Sequence, residues 1–288
     1  MTIIKGTTKL LGVIGNPVEH SLSPVMHNAA IAHLNVDYVY LPLPVKPEDL
    51  AQAVAGFEAI KLVGFNITIP HKQAIMPFLQ EISPEATLVG AVNTVWNTPT
   101  GWQGTNTDVT GFIAPLKNMN RDWSQTTAVV LGNGGAARAV VVGCHQLGCA
   151  EIKVVGRNTD KLNKFYQSWQ KSELAEKINV HNWSELPKLL PETGLLVNTT
   201  PVGMHPQTEA SPLDESLIRK LPSQAIAYDL IYTPNPTQFL KLAKNHGAIA
   251  LDGLEMLVQQ GAAALEIWLG QAVPVEIMRE SLVNYLGL

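Results

Sequence analysis

The stretch Thr127 to Ala139 (Thr-Ala-Val-Val-Leu-Gly-Asn-Gly-Gly-Ala-Ala-Arg-Ala) constrains the fold more than any other part of the chain. A run of apolar and β-branched residues leads into Gly132-x-Gly134-x-x-Ala137, and small apolar residues continue through Val140, Val141 and Val142 towards Gly148. This reads as strand, tight turn, helix. Gly132 lets the chain leave the strand in a turn that a Cβ would obstruct. Gly134 lets backbone approach a pyrophosphate, and Ala137 keeps the helix close to the sheet. The unpaired N–H groups at the helix start then face the phosphates. A glycine-rich turn that merely packs tightly is the alternative. Against it, a second apolar run, Ile152 to Gly156, arrives about twenty residues on, where the ribose-reading residue of a dinucleotide site belongs.

The end of that second run indicates which dinucleotide. An NAD site usually carries Asp or Glu there, but this chain has Gly156-Arg157-Asn158. A carboxylate would repel a 2'-phosphate, whereas Arg157 offers a planar fork of donors that matches one and can stack on adenine. The expected cofactor is therefore NADP, with a solvated surface arginine as the alternative.

With 288 residues, 46% apolar and 15% charged, the chain suits two globular domains. A formal charge of -4 gives no electrostatic footprint for nucleic acid, and no apolar run reaches membrane-span length. The N-terminus lacks a signal peptide's apolar core, so a cytoplasmic location is expected. Cys144 and Cys149 fit neither zinc nor redox spacing and read as small buried thiols; the eight histidines show no paired spacing, and no metal is expected.

Strands are expected over Lys9–Gly15, Asp37–Leu43 and Leu62–Ile69, alternating with helices Pro24–Leu34 and Pro47–Ile60, which implies a parallel sheet. Ser23 stands where a cap for the first helix belongs, and with Ser21 it can also hold a carboxylate. The third strand ends in Asn66-x-Thr68-x-Pro70-His71-Lys72, crowding an amide, a hydroxyl and an ammonium at the edge where open α/β sheets bind ligands. Lys72 lies among Ile69, Pro70, Ile75, Met76 and Phe78, which would strip water from an amine suited to proton transfer. A hairpin turns around Thr98–Gly101, and Asp108 stands where it would cap a helix over Val109–Asn120. Further helices are expected over Lys161–Ala175, Gln238–His246 and Leu254–Leu269, with Gln260 as a solvent-facing residue or a ligand group, and strands over Leu195–Met204, Ala225–Asp229 and Ala248–Leu251.

Taken together, Gly15-Asn-Pro-Val-Glu-His-Ser-Leu-Ser-Pro-Val-Met-His-Asn28, Asn66-Ile-Thr-Ile-Pro-His-Lys72, Gly90-Ala-Val-Asn-Thr94, Asn106-Thr-Asp108, the glycine turn, Asn198-Thr-Thr-Pro-Val-Gly-Met204, Tyr228-Asp-Leu-Ile-Tyr232 and Gly253-Leu-Glu-Met-Leu-Val-Gln-Gln260 resemble shikimate dehydrogenase over nearly the whole chain. The resemblance implies an α/β, two-domain fold: an N-terminal parallel-sheet substrate domain (residues 1–108 plus 254–288), a Rossmann-type NADP-binding domain (109–253), and a cleft between them. It implies reversible NADPH-dependent reduction of 3-dehydroshikimate to shikimate in aromatic amino-acid biosynthesis. By resemblance, Lys72 and Asp108 serve proton transfer, and Ser21, Ser23, Asn66, Thr68, Asn93, Tyr232 and Gln260 bind substrate. Gly132, Asn133, Gly134, Gly135, Ala136, Gly156, Arg157 and Asn158 hold the cofactor, with Leu230, Gly253 and Met256 beside its nicotinamide. Two motifs depart from the family: Gly156-Arg157-Asn158 stands for Asn-Arg-Thr, and Gly132-Asn133-Gly134 for Gly-Ala-Gly. A broader quinate/shikimate dehydrogenase and a non-catalytic NADP-binding sensor are the alternatives. The expected partner is a small molecule, with no nucleic acid and no membrane, and the chain a monomer or homodimer.

Overall fold

The computed structural model describes residues 3–288. It forms two compact units, one running to Gly111 and resuming at Leu257, the other Phe112–Met256.

The first unit opens β1 (Lys9–Gly15), α1 (Ser23–Leu34), β2 (Tyr38–Pro44), α2 (Leu50–Ala59) and β3 (Gly64–Ile67). There follow β4 (Glu81–Ile82), α3 (Pro84–Val89), β5 (Thr94–Thr98), β6 (Gly101–Thr105) and α4 (Asp108–Lys117), in which the chain passes to the second unit. The sheet order is β2-β1-β3-β5-β6-β4. β2, β1 and β3 are parallel, and the β5–β6 hairpin extends them antiparallel. β3 is shorter than expected: its ladder ends at Ile67, and after Thr68 the chain coils into successive turns from Ile69 to Ile75.

The second unit contains β7 (Thr127–Leu131), α5 (Gly135–Leu147), β8 (Glu151–Gly156), α6 (Thr159–Gln167), β9 (Ile178–Asn182) and α7 (Leu186–Leu189). β10 (Thr193–Asn198), α8 (Glu215–Ile218), β11 (Ile226–Asp229), α9 (Gln238–Asn245) and β12 (Ile249–Leu251) complete it. Every pairing is parallel, in the order β12-β11-β10-β7-β8-β9. The strands β7 to β9 run outward one way and β10 to β12 the other, so the direction reverses between β7 and β10. In open α/β sheets ligands bind at such a reversal, outside the carboxyl ends. The helix expected over Lys161–Ala175 ends at Gln167. Arg138 of α5 donates to Ser168 Oγ at 2.8 Å and lies 4.6 Å from the Trp169 ring, so the chain turns there to cover the guanidinium.

α10 (Leu254–Leu269) and α11 (Val275–Leu286) return the chain to the first unit, where α11 packs on α1. A Cβ on Gly261 would lie 2.2 Å from Met26 Cε, which shows how tightly α10 presses on α1. Trp268 then covers β3 and donates its indole N–H to the Val95 carbonyl at 3.0 Å. These contacts fix the height of Gln260, one residue before the crowded glycine. Cys144 and Cys149 are buried free thiols.

Candidate active site

In the first unit, strand direction assembles the polar residues. β5 runs antiparallel to β3, with Asn66 opposite Thr94, so β5 begins where β3 ends. β6 is antiparallel to β5, with Thr94 opposite Thr105, so it ends at the same edge. Asn93, just before β5, and Asp108, just after β6, are thereby brought to the turn that carries Lys72. The Val92 N–H donates to the Lys72 carbonyl at 2.7 Å and pins that turn from the hairpin side. The buried ring of His71 bonds to the Val45 carbonyl at 2.7 Å and pins it from the other.

Lys72 Nζ donates to Asp108 Oδ2 at 2.5 Å, with the two side chains 18% and 9% exposed. Asn93 Nδ2 donates to Asp108 Oδ1 at 2.9 Å and lies 3.5 Å from Gln260 Oε1. Asn93 Oδ1 accepts from the Thr107 N–H at 2.7 Å and the Thr94 hydroxyl at 3.0 Å, which fixes the flip of the amide. Asn66 Nδ2 donates to the Asn93 carbonyl and to Thr94 Oγ1, both at 3.1 Å, while the Tyr40 hydroxyl donates to Asn66 Oδ1 at 2.7 Å. Burial raises the Tyr40 phenol well above its ordinary range, against an opposing hydrogen bond with Ser23, so it remains a donor. One connected network thus joins Lys72, Asp108, Asn93, Gln260, Asn66 and Tyr40. Thr68 lies at the same edge, its N–H on the Ile14 carbonyl at 2.9 Å.

Several local expectations are corrected. Ser23 is the first residue of α1 and not its cap; the cap is Leu22, without a side-chain bond, and Ser21 Oγ accepts from the Ser23 N–H at 3.3 Å. Asp108 does not cap α4, because its carboxylate is taken by Lys72 and Asn93 while its own N–H goes to Asn106 Oδ1 at 3.0 Å. The apolar shell expected around Lys72 is only partly there: Ile75 is buried, but Ile69 is 70% and Phe78 40% exposed. The contact of the amine is with the Asp108 carboxylate. Gln260 is buried and does not face solvent.

The second unit builds its edge from backbone. Gly132 has φ of +105°, and a Cβ there would stand 2.7 Å from Thr199 Oγ1. Thr199 closes the reversal from β10 by donating through N–H and hydroxyl to the Leu131 carbonyl at 3.0 and 2.7 Å. At Gly134, the cap of α5, a Cβ would meet nothing within 4 Å, and no side chain caps the helix. Asn133, Gly135 and Ala136 complete the turn, all part-exposed. Open space over an uncapped N-terminus of a thirteen-residue helix fits a pyrophosphate. Arg157 is exposed just beyond β8, and Asn158 caps α6 by accepting from the Lys161 N–H at 2.9 Å. Beyond β11 and β12, Leu230 and Gly253 touch: a Cβ on Gly253 would lie 2.1 Å from the Leu230 carbonyl oxygen. Met256 is buried and Tyr232 half-buried, both in this unit.

Sequence reasoning assigned no role to Tyr40, Thr94, Thr107 or Asn106, which hold the network in register. Thr94, Asn106 and Thr107 lie inside motifs that carry the family resemblance, and that was their signal. Tyr40, inside an apolar strand, reads like any core aromatic.

Two stretches match family models, residues 13–95 the shikimate dehydrogenase substrate binding domain and residues 253–283 the shikimate 5'-dehydrogenase C-terminal domain. A shikimate dehydrogenase (NADP+) of Gloeothece citriformis is 64% identical over 288 residues, covering 100% of both chains. The chain belongs to the shikimate dehydrogenase family. A shikimate dehydrogenase structure from Aquifex aeolicus is 36% identical with a TM-score of 0.86, covering 97% of this chain and 99% of that one. Another, from Thermus thermophilus in complex with NADP(H) and shikimate, is 33% identical with a TM-score of 0.83, covering 96% and 99%. Shikimate dehydrogenases are NADP-dependent oxidoreductases acting on a CH–OH group, and this α/β architecture is theirs.

Proposed function

We propose that this chain catalyses the reversible NADPH-dependent reduction of 3-dehydroshikimate to shikimate, with Lys72 and Asp108 as its proton-transfer pair. The observation that carries the reading is the 2.5 Å contact between these two, inside a network whose other members are amides and hydroxyls. Such a set suits a hydroxylated ring. Ser21 and Ser23 hold the substrate carboxylate at the start of α1, and Asn66, Thr68, Asn93, Tyr232 and Gln260 orient the ring and its hydroxyls.

NADP, when bound, supplies or accepts the hydride. Gly132 to Ala136 face its pyrophosphate and Arg157 its 2'-phosphate, while Gly156, Asn158, Leu230, Gly253 and Met256 shape the rest of its site. What remains for the protein is orientation and one proton. In oxidation the carbinol proton passes to Lys72 in its neutral amine form, held by the Asp108 carboxylate; in reduction the Lys72 ammonium returns it to the same oxygen. Asn93 keeps Asp108 aimed at the amine by holding its other oxygen.

The unit ending at Gly111 and resuming at Leu257 is the substrate domain, and Phe112–Met256 the cofactor domain. We take the protein to act in the cytoplasm as a monomer or homodimer on dissolved metabolites. The acidic balance gives no footprint for nucleic acid, and among the described residues no helix is long and apolar enough to cross a membrane.

Absorbance of reduced nicotinamide with shikimate and NADP+ tests the activity, with quinate and NAD+ run in parallel. Turnover on shikimate is expected. Cofactor binding without turnover would leave the sensor reading, and equal rates on quinate the broader dehydrogenase.

A further inference from the structure

Arg157 is exposed, and a long exposed arginine pays rotamer entropy whenever a ligand fixes it. Here it is not left to wander. Its guanidinium carbon sits 4.9 Å from the centre of the Trp183 ring. The register explains the meeting: Gly156 of β8 pairs with Asn182 of β9 in parallel, so the next residues, Arg157 and Trp183, leave the sheet side by side.

The indole is itself held. Asn182 and Glu185 form a reciprocal capping box around it, with Asn182 Oδ1 accepting from the Ser184 N–H at 3.2 Å and Glu185 Oε1 from the Asn182 N–H at 2.8 Å. Partly buried, the indole packs against the hydrophobic core that includes Val155 of β8 and Leu186 of α7. Stacking occupies a face of the guanidinium and leaves the in-plane N–H donors to fork onto a phosphate. The neighbours make this count. Position 156 is a glycine and offers no side-chain donor, and the Asn158 side chain is oriented by its cap on α6, so Arg157 is the one charged donor of the three.

We infer that Trp183 is a positioning residue for NADP selectivity: it is a fixed aromatic platform that pre-orders Arg157 for the cofactor's 2'-phosphate. This rests on the reading of Arg157 given above. Removing an exposed cation–π contact corresponds to about a two- to fivefold change in affinity.

The test measures kcat and KM for NADP+ and for NAD+ with shikimate, together with inhibition by adenosine 2',5'-bisphosphate and by AMP. Trp183→Leu keeps an apolar filler against the core and removes the platform. It should raise KM for NADP+ and weaken the bisphosphate about two- to fivefold, leaving kcat, KM for NAD+ and AMP inhibition where they were. Trp183→Phe should restore most of the loss, and Trp183→Leu added to Arg157→Leu should do nothing further, since the two act as one. If Trp183→Leu does not fold, Trp183→Met fills the same notch with a flexible chain and carries the same expectation. Equal shifts for both cofactors, or none for either, would overturn the inference while leaving Arg157 in place. An unchanged NADP+ to NAD+ ratio in Arg157→Leu would overturn the reading of Arg157 itself, and the inference with it.

Discussion

The two carboxyl edges are built from opposite materials. In the first unit side chains form the edge and spend their hydrogen bonds on one another, from Tyr40 through Asn66 and Asn93 to Asp108 and Lys72. In the second, backbone forms the edge around the uncapped start of α5, and Gly134 opens onto space. A polyhydroxy acid needs donors and acceptors at fixed points, which only braced side chains supply. A pyrophosphate needs N–H groups and a positive dipole end, which any helix supplies if no Cβ stands in the way. The first edge is therefore sensitive to single functional groups, and the second to single methyl groups.

The sharpest way to break this contrast is Lys72→Ala. It should lower kcat by about 10² to 10⁴ with little change in the KM for shikimate, as expected for loss of an acid–base group. Near-normal turnover would take Lys72 out of that role.

Next come two methyl groups on the other edge. Gly132→Ala should destabilise the protein by about 2 to 5 kcal/mol, from the positive φ and the clash with Thr199 together. Gly134→Ala should leave the unfolding midpoint unchanged and raise the KM for NADP+. If both variants behave alike, the division of labour between the glycines is wrong.

The units should also respond to pH with opposite sign. Burial holds the His27 imidazole down at about 4, against backbone hydrogen bonds to Ser23 and Gly261. The folded first unit thus refuses a proton that the unfolded chain accepts below about 6.5, and loses stability as pH falls from there towards 4. Burial lifts Asp229 to about 6, against hydrogen bonds from Thr237, Ile231 and Asn198. The folded second unit keeps a proton that the unfolded chain releases above about 4, so it loses on the order of 2 to 3 kcal/mol as pH rises from about 4 to 6. Urea unfolding across this range should show Asp229→Asn without the loss on the rising side. His27→Gln should lack the loss on the acidic side. A parallel pH response in wild type and Asp229→Asn would refute the assignment.

The smallest effect is expected from Tyr40→Phe, which leaves the buried Asn66 Oδ1 without its 2.7 Å donor. About 1 to 3 kcal/mol of stability should go, with a rise in the KM for shikimate and kcat nearly kept. A variant as stable as wild type would show that water replaces the phenol.

Much of this was legible in the order of residues because it depends on local physics. The glycine turn, the alternation of strand and helix and the hairpin around Thr98–Gly101 all follow from backbone freedom, side-chain shape and hydrophobic period. The sequence also contains Lys72 and Asp108, but as a lysine near a proline and an aspartate before a helix, each with an ordinary surface or capping role open to it. Only the antiparallel pairing of β3, β5 and β6 sets them 2.5 Å apart, and only Asn93 turns the carboxylate away from its own helix. Tyr40, Gln260 and Trp183 gained their places in the same way, through strand register and helix packing across tens to hundreds of residues. Local propensity governs what a segment becomes, whereas tertiary pairing decides which side chains must satisfy one another's hydrogen bonds once water is excluded.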